Sequence, residues 1–407
     1  MKKICFLLLS VLMLASCHGD KNDKCRKVYG RSVLVYIAGD NNLASFIKDD
    51  VGQMMEGSKT IAADDRLLLF VDKKGTLPYI LEVNKGDTVR RKTFEQELKT
   101  SDAAQLRDAV KWMQDNYTAH SYGLVLWGHA TGWKMEEAAS RRRAYGQDTT
   151  PQKTWMSIPD MAQALEQVTD TMKLSFIFAD CCCFQCVETA YELRRCADYI
   201  IGSAAEIPGE GAPYQTVIPA LFSHSNDYWK LAADAYHEQV CTIDNYNNTS
   251  TDYKEPMSVI DTRNIETLAQ ATRTALQQSL EGSEGYPNVN GLIYYYDYTF
   301  FDMNDFMLRT ADENVYRLWR QAFDAAVPYR LMTTYWMANH VAFQDPFTQS
   351  IFRDFTVTDE RYGGVSMYVP QDPATIYYNY RDLITKMNAD IKRMQWYSAA
   401  GLDKLGW

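Results

Sequence analysis

The sequence predicts an α/β protein with a mostly parallel central sheet and helices covering both faces. Three observations predict it. Between residues 31 and 203, short apolar runs that read as strands alternate with helical segments. Runs such as SVLVYIAG and LVLWG are apolar almost throughout, as strands buried on both faces must be. The two residues best suited to chemistry, His129 and Cys182, each lie just beyond a strand's C-terminal end. In open α/β sheets that is the edge where sites assemble.

Each element follows from its own pattern. SVLVYIAGDNNL is an apolar strand running into a polar turn, and residues 43 to 59 form a helix. Leu67 to Val71 is a second buried strand, and residues 77–83 and 89–94 make a hairpin around Gly86-Asp87. Asp102 to Tyr117 is a helix whose apolar stripe is Leu106, Val110 and Met113. Tyr122 to Trp127 is a strand ending at Gly128-His129, and a polar stretch from Lys134 to Thr154 follows. Ser157 caps a helix to Val168, with Asp160 at its third position. Leu174 to Phe178 is a strand ending at Asp180-Cys181-Cys182, Phe184 to Arg194 a helix, and Tyr199 to Ser203 a strand. Beyond Pro213, residues 220–239, 265–280, 311–327 and 376–400 read as helical. Residues 290–298, 341–344 and 363–369 read as strands.

Bulk properties narrow the class. The 407 residues carry 42 Lys+Arg against 52 Asp+Glu, a formal net charge of -10, with no long basic stripe to contact phosphates. A nucleic-acid partner is therefore not expected. Lys2 and Lys3 precede an apolar run from Ile4 to Ala15, the pattern of an export signal and too short for a comfortable membrane span. Leu14-Ala15-Ser16-Cys17 resembles a bacterial lipobox. Residues 1–16 are thus expected to be a cleaved signal, Cys17 to carry lipid, and residues 17–30 to tether the protein to a membrane, at the outer membrane or cell surface. The nine cysteines do not read as a disulfide framework, since Cys181 and Cys182 are adjacent with diverging side chains, and a pairing of Cys25 with a distant cysteine stays open.

A cysteine nucleophile needs an accessible thiol, an imidazole to take its proton, and local positive potential to favour thiolate. Cys182, between a strand and a helix, is expected to gain that potential from the helix N-terminus, and backbone N–H groups of the turn could face an oxyanion. Two other readings stand beside it. Cys183-Phe184-Gln185-Cys186 has the two-residue gap of a metal-binding pair, but no second pair or suitably spaced histidines complete a zinc set. The same cluster could serve thiol–disulfide exchange, though it lacks a thioredoxin-like context.

LVLWGHATGW, residues 124–133, resembles the histidine motif of clostripain-like cysteine peptidases. FADCCCFQCVETAYEL, residues 178–193, resembles that family's strand, aspartate, single residue, nucleophilic cysteine and helix. SVLVYIAGDNNL and YGGVSMYVP, residues 362–370, are also similar to family segments. The resemblance implies a caspase-like three-layer α/β/α sandwich, with residues 31–212 as catalytic core and 213–407 as a C-terminal region packed on it and able to complete it. It implies a His129–Cys182 dyad that requires neither a third catalytic residue nor a cofactor, calcium dependence being an option that scattered carboxylates such as Asp148 and Asp261 leave open.

The same resemblance implies cleavage of proteins or peptides after Arg or Lys. A carboxylate is then needed to receive the cation. Asp180 matches the motif aspartate near the first specificity pocket, and the loop SAAEIPGEGAPY offers Glu206 and Glu210, with Glu210 nearer the expected position. Asp180 could alternatively cap the following helix. Family members are often cut in the loop after the histidine strand, which here contains Arg141-Arg142-Arg143, so self-processing is expected after Arg143, with Arg142 and Arg141 as near alternatives. A catalytically silent surface-binding lipoprotein on the same fold, or a thiol hydrolase of non-basic amides or esters, are the competing functions.

Overall fold

The computed structural model describes residues 27–134, 144–241, 255–280, 282, 285–296, 299–333, 336, 355–376 and 378–407. The strands in chain order are β1 (Tyr29–Gly39), β2 (Arg66–Lys73), β3 (Thr76–Asn84), β4 (Asp87–Thr93), β5 (Ala119–Gly128), β6 (Tyr145–Asp148), β7 (Thr154–Met156), β8 (Leu174–Asp180), β9 (Ala197–Gly202), β10 (Met257–Asp261), β11 (Phe301–Asp302), β12 (Tyr329–Leu331) and β13 (Ser366–Met367). Nine of them form one sheet in the order β12-β10-β9-β8-β5-β1-β2-β3-β4. The central five are mutually parallel, β1 lying between β2 and β5, and β8 between β5 and β9. The β3–β4 hairpin closes one edge antiparallel, and β10 with β12 closes the other.

Side-chain alternation along β1 divides two cores. Val33, Val35 and Ile37 pack with residues of α1 (Ile47–Ser58) and the later helices at Tyr214–Leu221 and Tyr228–Cys241. Leu34, Tyr36 and Ala38 face the opposite layer, built from α2 (Ala103–Asn116), α3 (Ile158–Thr169), α4 (Val187–Leu193) and the C-terminal helices. The result is the expected three-layer sandwich. In α2, Asp102 caps by accepting the Ala104 N–H, worth about 1 kcal/mol. Its stripe of Leu106, Val110 and Met113 is fully buried at roughly 1.5–3 kcal/mol each, so packing rather than capping dominates its stability.

The structure corrects several expected elements. The helix after Cys182 starts at Val187, not Phe184, because residues 183–186 pair with distant backbone. The Cys183 N–H donates to the Ala205 carbonyl, the Gln185 N–H to that of Ser203, and Cys186 forms a bridge with Ser366. One helix expected over residues 220–239 is two, Tyr214–Leu221 and Tyr228–Cys241, because the chain turns at residues 222–227. Residues 376–400 likewise break at the turn before Met394 into helices at Arg381–Asp390 and Gln395–Ala399. The strand expected at 290–298 reduces, among its described residues, to one bridge from Tyr294 to Phe301. That expected at 363–369 keeps only β13, and 341–344 lies outside the described residues.

Candidate active site

Neighbouring strands bring the two predicted residues together. Trp127 of β5 stands opposite Asp180 of β8 in the parallel register, so two residues further along each chain set His129 beside Cys182. Both line a cleft of about 280 Å³ with Asn42, Phe46, Trp127, Asp180, Glu206 and the Ile207–Gly209 segment. A larger cavity of about 780 Å³ near Leu292 and Tyr380 is lined by no cysteine, histidine or carboxylate. Chemistry rather than size marks the smaller one as the candidate site.

Burial separates the thiols. Among the described residues Cys181, Cys183, Cys186 and Cys196 are buried free cysteines, whereas Cys182 is partly exposed. Cys183 takes a left-handed φ of 55° and is itself buried. Cys186 donates its thiol to Thr189 Oγ1 at 2.9 Å. None of these arrangements converges on an ion, and among the described residues no group of three or more His, Cys, Asp and Glu side chains is placed to hold a metal. Asp148 accepts the Thr100 and Thr150 N–H groups, and Asp261 pairs with Arg263 at 2.7 Å.

The electrostatics at Cys182 differ from expectation. With α4 starting at Val187, five residues on, its N-terminus does not directly follow Cys182. Burial, followed by the Glu206 carboxylate, pushes the thiol well above its ordinary range, with the Ile207 N–H at 3.5 Å opposing. His129 is half-buried, its Nε2 2.8 Å from Asn42 Oδ1 and its ring centroid 6.2 Å from that of Trp155.

Asp180 forms the floor. It is 3% exposed, accepts the Tyr214 hydroxyl on Oδ2 at 2.5 Å, and leaves Oδ1 without a well-formed hydrogen bond. Burial raises its carboxyl to about 6, with the Tyr214 hydroxyl and the Ala212 amide opposing. Gly211, at φ 64°, lets the loop pass over it, since a Cβ there would come within 2.7 Å of Oδ2. Asp180 caps no helix, as the residue before α4 is Cys186. Glu206 is 2% exposed and lines the cleft, whereas Glu210 is exposed on the same loop and does not line it. Arg141, Arg142, Arg143 and Cys17 lie outside the described residues.

Sequence reasoning missed three residues here. Asn42 sits in the turn after β1, inside a motif already singled out, and its position at a parallel strand's end was the available signal. Asp50 on α1 accepts the Trp127 indole N–H at 2.7 Å, and burial together with Asp180 raises it to about 8. Glu255 is fully buried, and burial pushes its carboxyl well above the usual range. Nothing local in the sequence marks either acid.

Comparison with known proteins finds relatives of this chain. The family model described as the clostripain family, peptidase C11, matches residues 35–405. Clostripain of Hathewaya histolytica is 23% identical over 219 residues, 47% of this chain and 42% of clostripain, so the match spans about two fifths of that relative's length. A secreted C11 cysteine protease from Bacteroides thetaiotaomicron, solved with an irreversible peptide inhibitor, superposes with a TM-score of 0.73 at 28% identity, covering 92% of this chain and 99% of that one. An inactive zymogen C11 protease from Parabacteroides distasonis gives 0.67 at 26%, with the same coverage.

Proposed function

The chain belongs to the clostripain family of cysteine peptidases, and from that premise we propose an endopeptidase that cuts after Arg or Lys through Cys182 and His129. His129 takes the Cys182 proton as the sulfur attacks the scissile carbonyl, giving a tetrahedral oxyanion. Protonated His129 then delivers that proton to the departing amine as the C–N bond breaks and a thioester remains. Water, deprotonated by His129, hydrolyses the thioester and restores the thiol.

The observation that carries the basic specificity is Asp180, a buried carboxylate beside the nucleophile with Oδ1 unsatisfied. A cationic side chain entering the cleft supplies the missing donor, and Glu206 adds a second negative wall. An uncharged side chain would leave Asp180 buried and unpaired. The test compares matched peptides carrying Arg, Lys, Ala or Glu before the cleavable bond. Arg and Lys peptides should be cut about 100-fold or more faster than Ala, and a flat series would reject the pocket.

Processing after Arg143 fits the framework around it. Residues on either side of the arginine loop are tied together near His129. Thr131 N–H donates to the Ala144 carbonyl at 2.9 Å, and Gly146 N–H to that of His129 at 2.9 Å. After a cut within 135–143 these bonds would still tie residues 129–131 to residues 144–146. Replacing Arg141, Arg142 and Arg143 together by Ala should leave the purified chain intact on a denaturing gel and lower its activity at least tenfold. Normal cleavage and activity in that variant would dismiss self-processing.

We place the enzyme outside the cytoplasm, exported by residues 1–16 and anchored through lipid on Cys17. Among the described residues no helix is long and apolar enough to cross a membrane.

A further inference from the structure

We propose that Asn42 is a positioning residue for His129, holding the imidazole in the tautomer and orientation that accept the Cys182 proton. This rests on the dyad reading above. Asn42 Oδ1 lies 2.8 Å from His129 Nε2. With the amide oxygen as acceptor, Nε2 carries the hydrogen and Nδ1 becomes the basic nitrogen. The same bond stabilises the imidazolium that forms in mid-reaction, because the amide oxygen points its negative end at an N–H that has become more acidic.

The turn bearing Asn42 is built to present it. Its neighbour Asn41 is buried and donates Nδ2 to the carbonyls of Ala38 at 2.9 Å and Gln147 at 2.8 Å, while its Oδ1 accepts the Leu43 N–H at 2.8 Å. The Asp40 carbonyl accepts both the Thr149 N–H at 3.0 Å and the Thr149 hydroxyl at 2.8 Å. Asn41 and Asp40 thus fix the backbone, and the Asn42 side chain, exposed to the cleft, is left out of that scaffolding. Trp155 limits the ring from another side at 6.2 Å. The position is therefore ordered before substrate arrives, as a positioning group must be.

A neutral amide in this place has a chemical logic. Asp180 and Glu206 already lie in the cleft, and Asp40 and Asp148 lie behind the turn. A carboxylate at 42 would hold His129 protonated at rest, unable to take the thiol proton. An amide orients the ring without that cost to its basicity.

The experiment compares wild type with Asn42→Ala and Asn42→Asp, measuring kcat and KM for one Arg peptide from pH 5 to 9, with Cys182→Ala as the blank. Asn42 is exposed, so far-UV circular dichroism and melting should match wild type. Asn42→Ala should lower kcat roughly 10- to 100-fold with KM nearly unchanged. Asn42→Asp should recover part of kcat at high pH while its acid limb moves upward by about one pH unit, because the new carboxylate stabilises the imidazolium. A second readout needs no substrate: the pH profile of Cys182 alkylation by iodoacetamide should move in the same direction. If Asn42→Ala raises KM alone, or if Asn42→Asp leaves both pH profiles in place, Asn42 is a substrate contact or a turn residue and the proposal falls. Activity surviving in the Cys182→Ala blank would instead overturn the dyad reading itself.

Discussion

Cys182→Ala is expected to abolish peptide hydrolysis, a loss on the order of 10⁴-fold or more, and His129→Ala should cost about 10²- to 10⁴-fold. Without the sulfur no thioester can form, and water alone would have to attack a carbonyl in a cleft not arranged to activate it. The double variant should be barely worse than Cys182→Ala, since two groups that act as one unit are not additive. Cys181→Ala, by contrast, should retain the activity. Cys181 is buried on the core side of the same turn, and removing a small thiol there alters packing rather than chemistry. A Cys182→Ala enzyme as fast as wild type would end the assignment, and so would loss of activity in a well-folded Cys181→Ala.

The resting state adds a kinetic signature. Burial, followed by the Glu206 carboxylate, pushes the Cys182 thiol upward. If proton transfer to His129 accompanies attack, as proposed, a solvent isotope effect on the acylation step is the expected result.

The layout of this site was legible in the sequence to a definite depth. Apolar runs of five to eight residues marked β1, β2, β5, β8 and β9, since strands buried on both faces leave no polar alternation. His129 and Cys182 were legible because each follows such a run. Their closeness depended on β5 and β8 being neighbours, which the register establishes. What escaped was set by contacts remote in sequence. The start of α4 was misplaced because residues 183–186 pair with 203–205 and 366, and local helix propensity cannot anticipate such pairings. Strands β10 and β12 are short antiparallel strands, β12 at the sheet edge, whose partners lie far along the chain. Glu206 and Glu210 have the same local character, and only the path of the loop under Gly211 sends one into the cleft and the other to solvent.

The second large effect is expected at Asp180. Asp180→Asn should reduce kcat/KM for Arg peptides by about 100-fold, near 3 kcal/mol, and change that for Ala peptides little. The ratio of the two rates carries a pH dependence that isolates this residue. Protonating His129 slows both substrates alike and cancels in the ratio, whereas protonating Asp180 removes the charge that only the cationic substrate uses. With the carboxyl at about 6, the Arg-to-Ala preference should be full above that pH and decline as pH falls through it. In Asp180→Asn the ratio should be small and flat. Stability should move the opposite way. A carboxyl raised by folding is a stronger acid in the unfolded chain, so ionised Asp180 opposes folding increasingly as pH rises from about 4 through 6. Asp180→Asn should therefore melt no lower than wild type at pH 7, and its advantage should vanish in acid. A variant that loses the Arg preference while keeping its melting temperature identifies the carboxylate as a recognition group. An unchanged, pH-independent preference in Asp180→Asn would transfer that role to Glu206, the other acid lining the cleft.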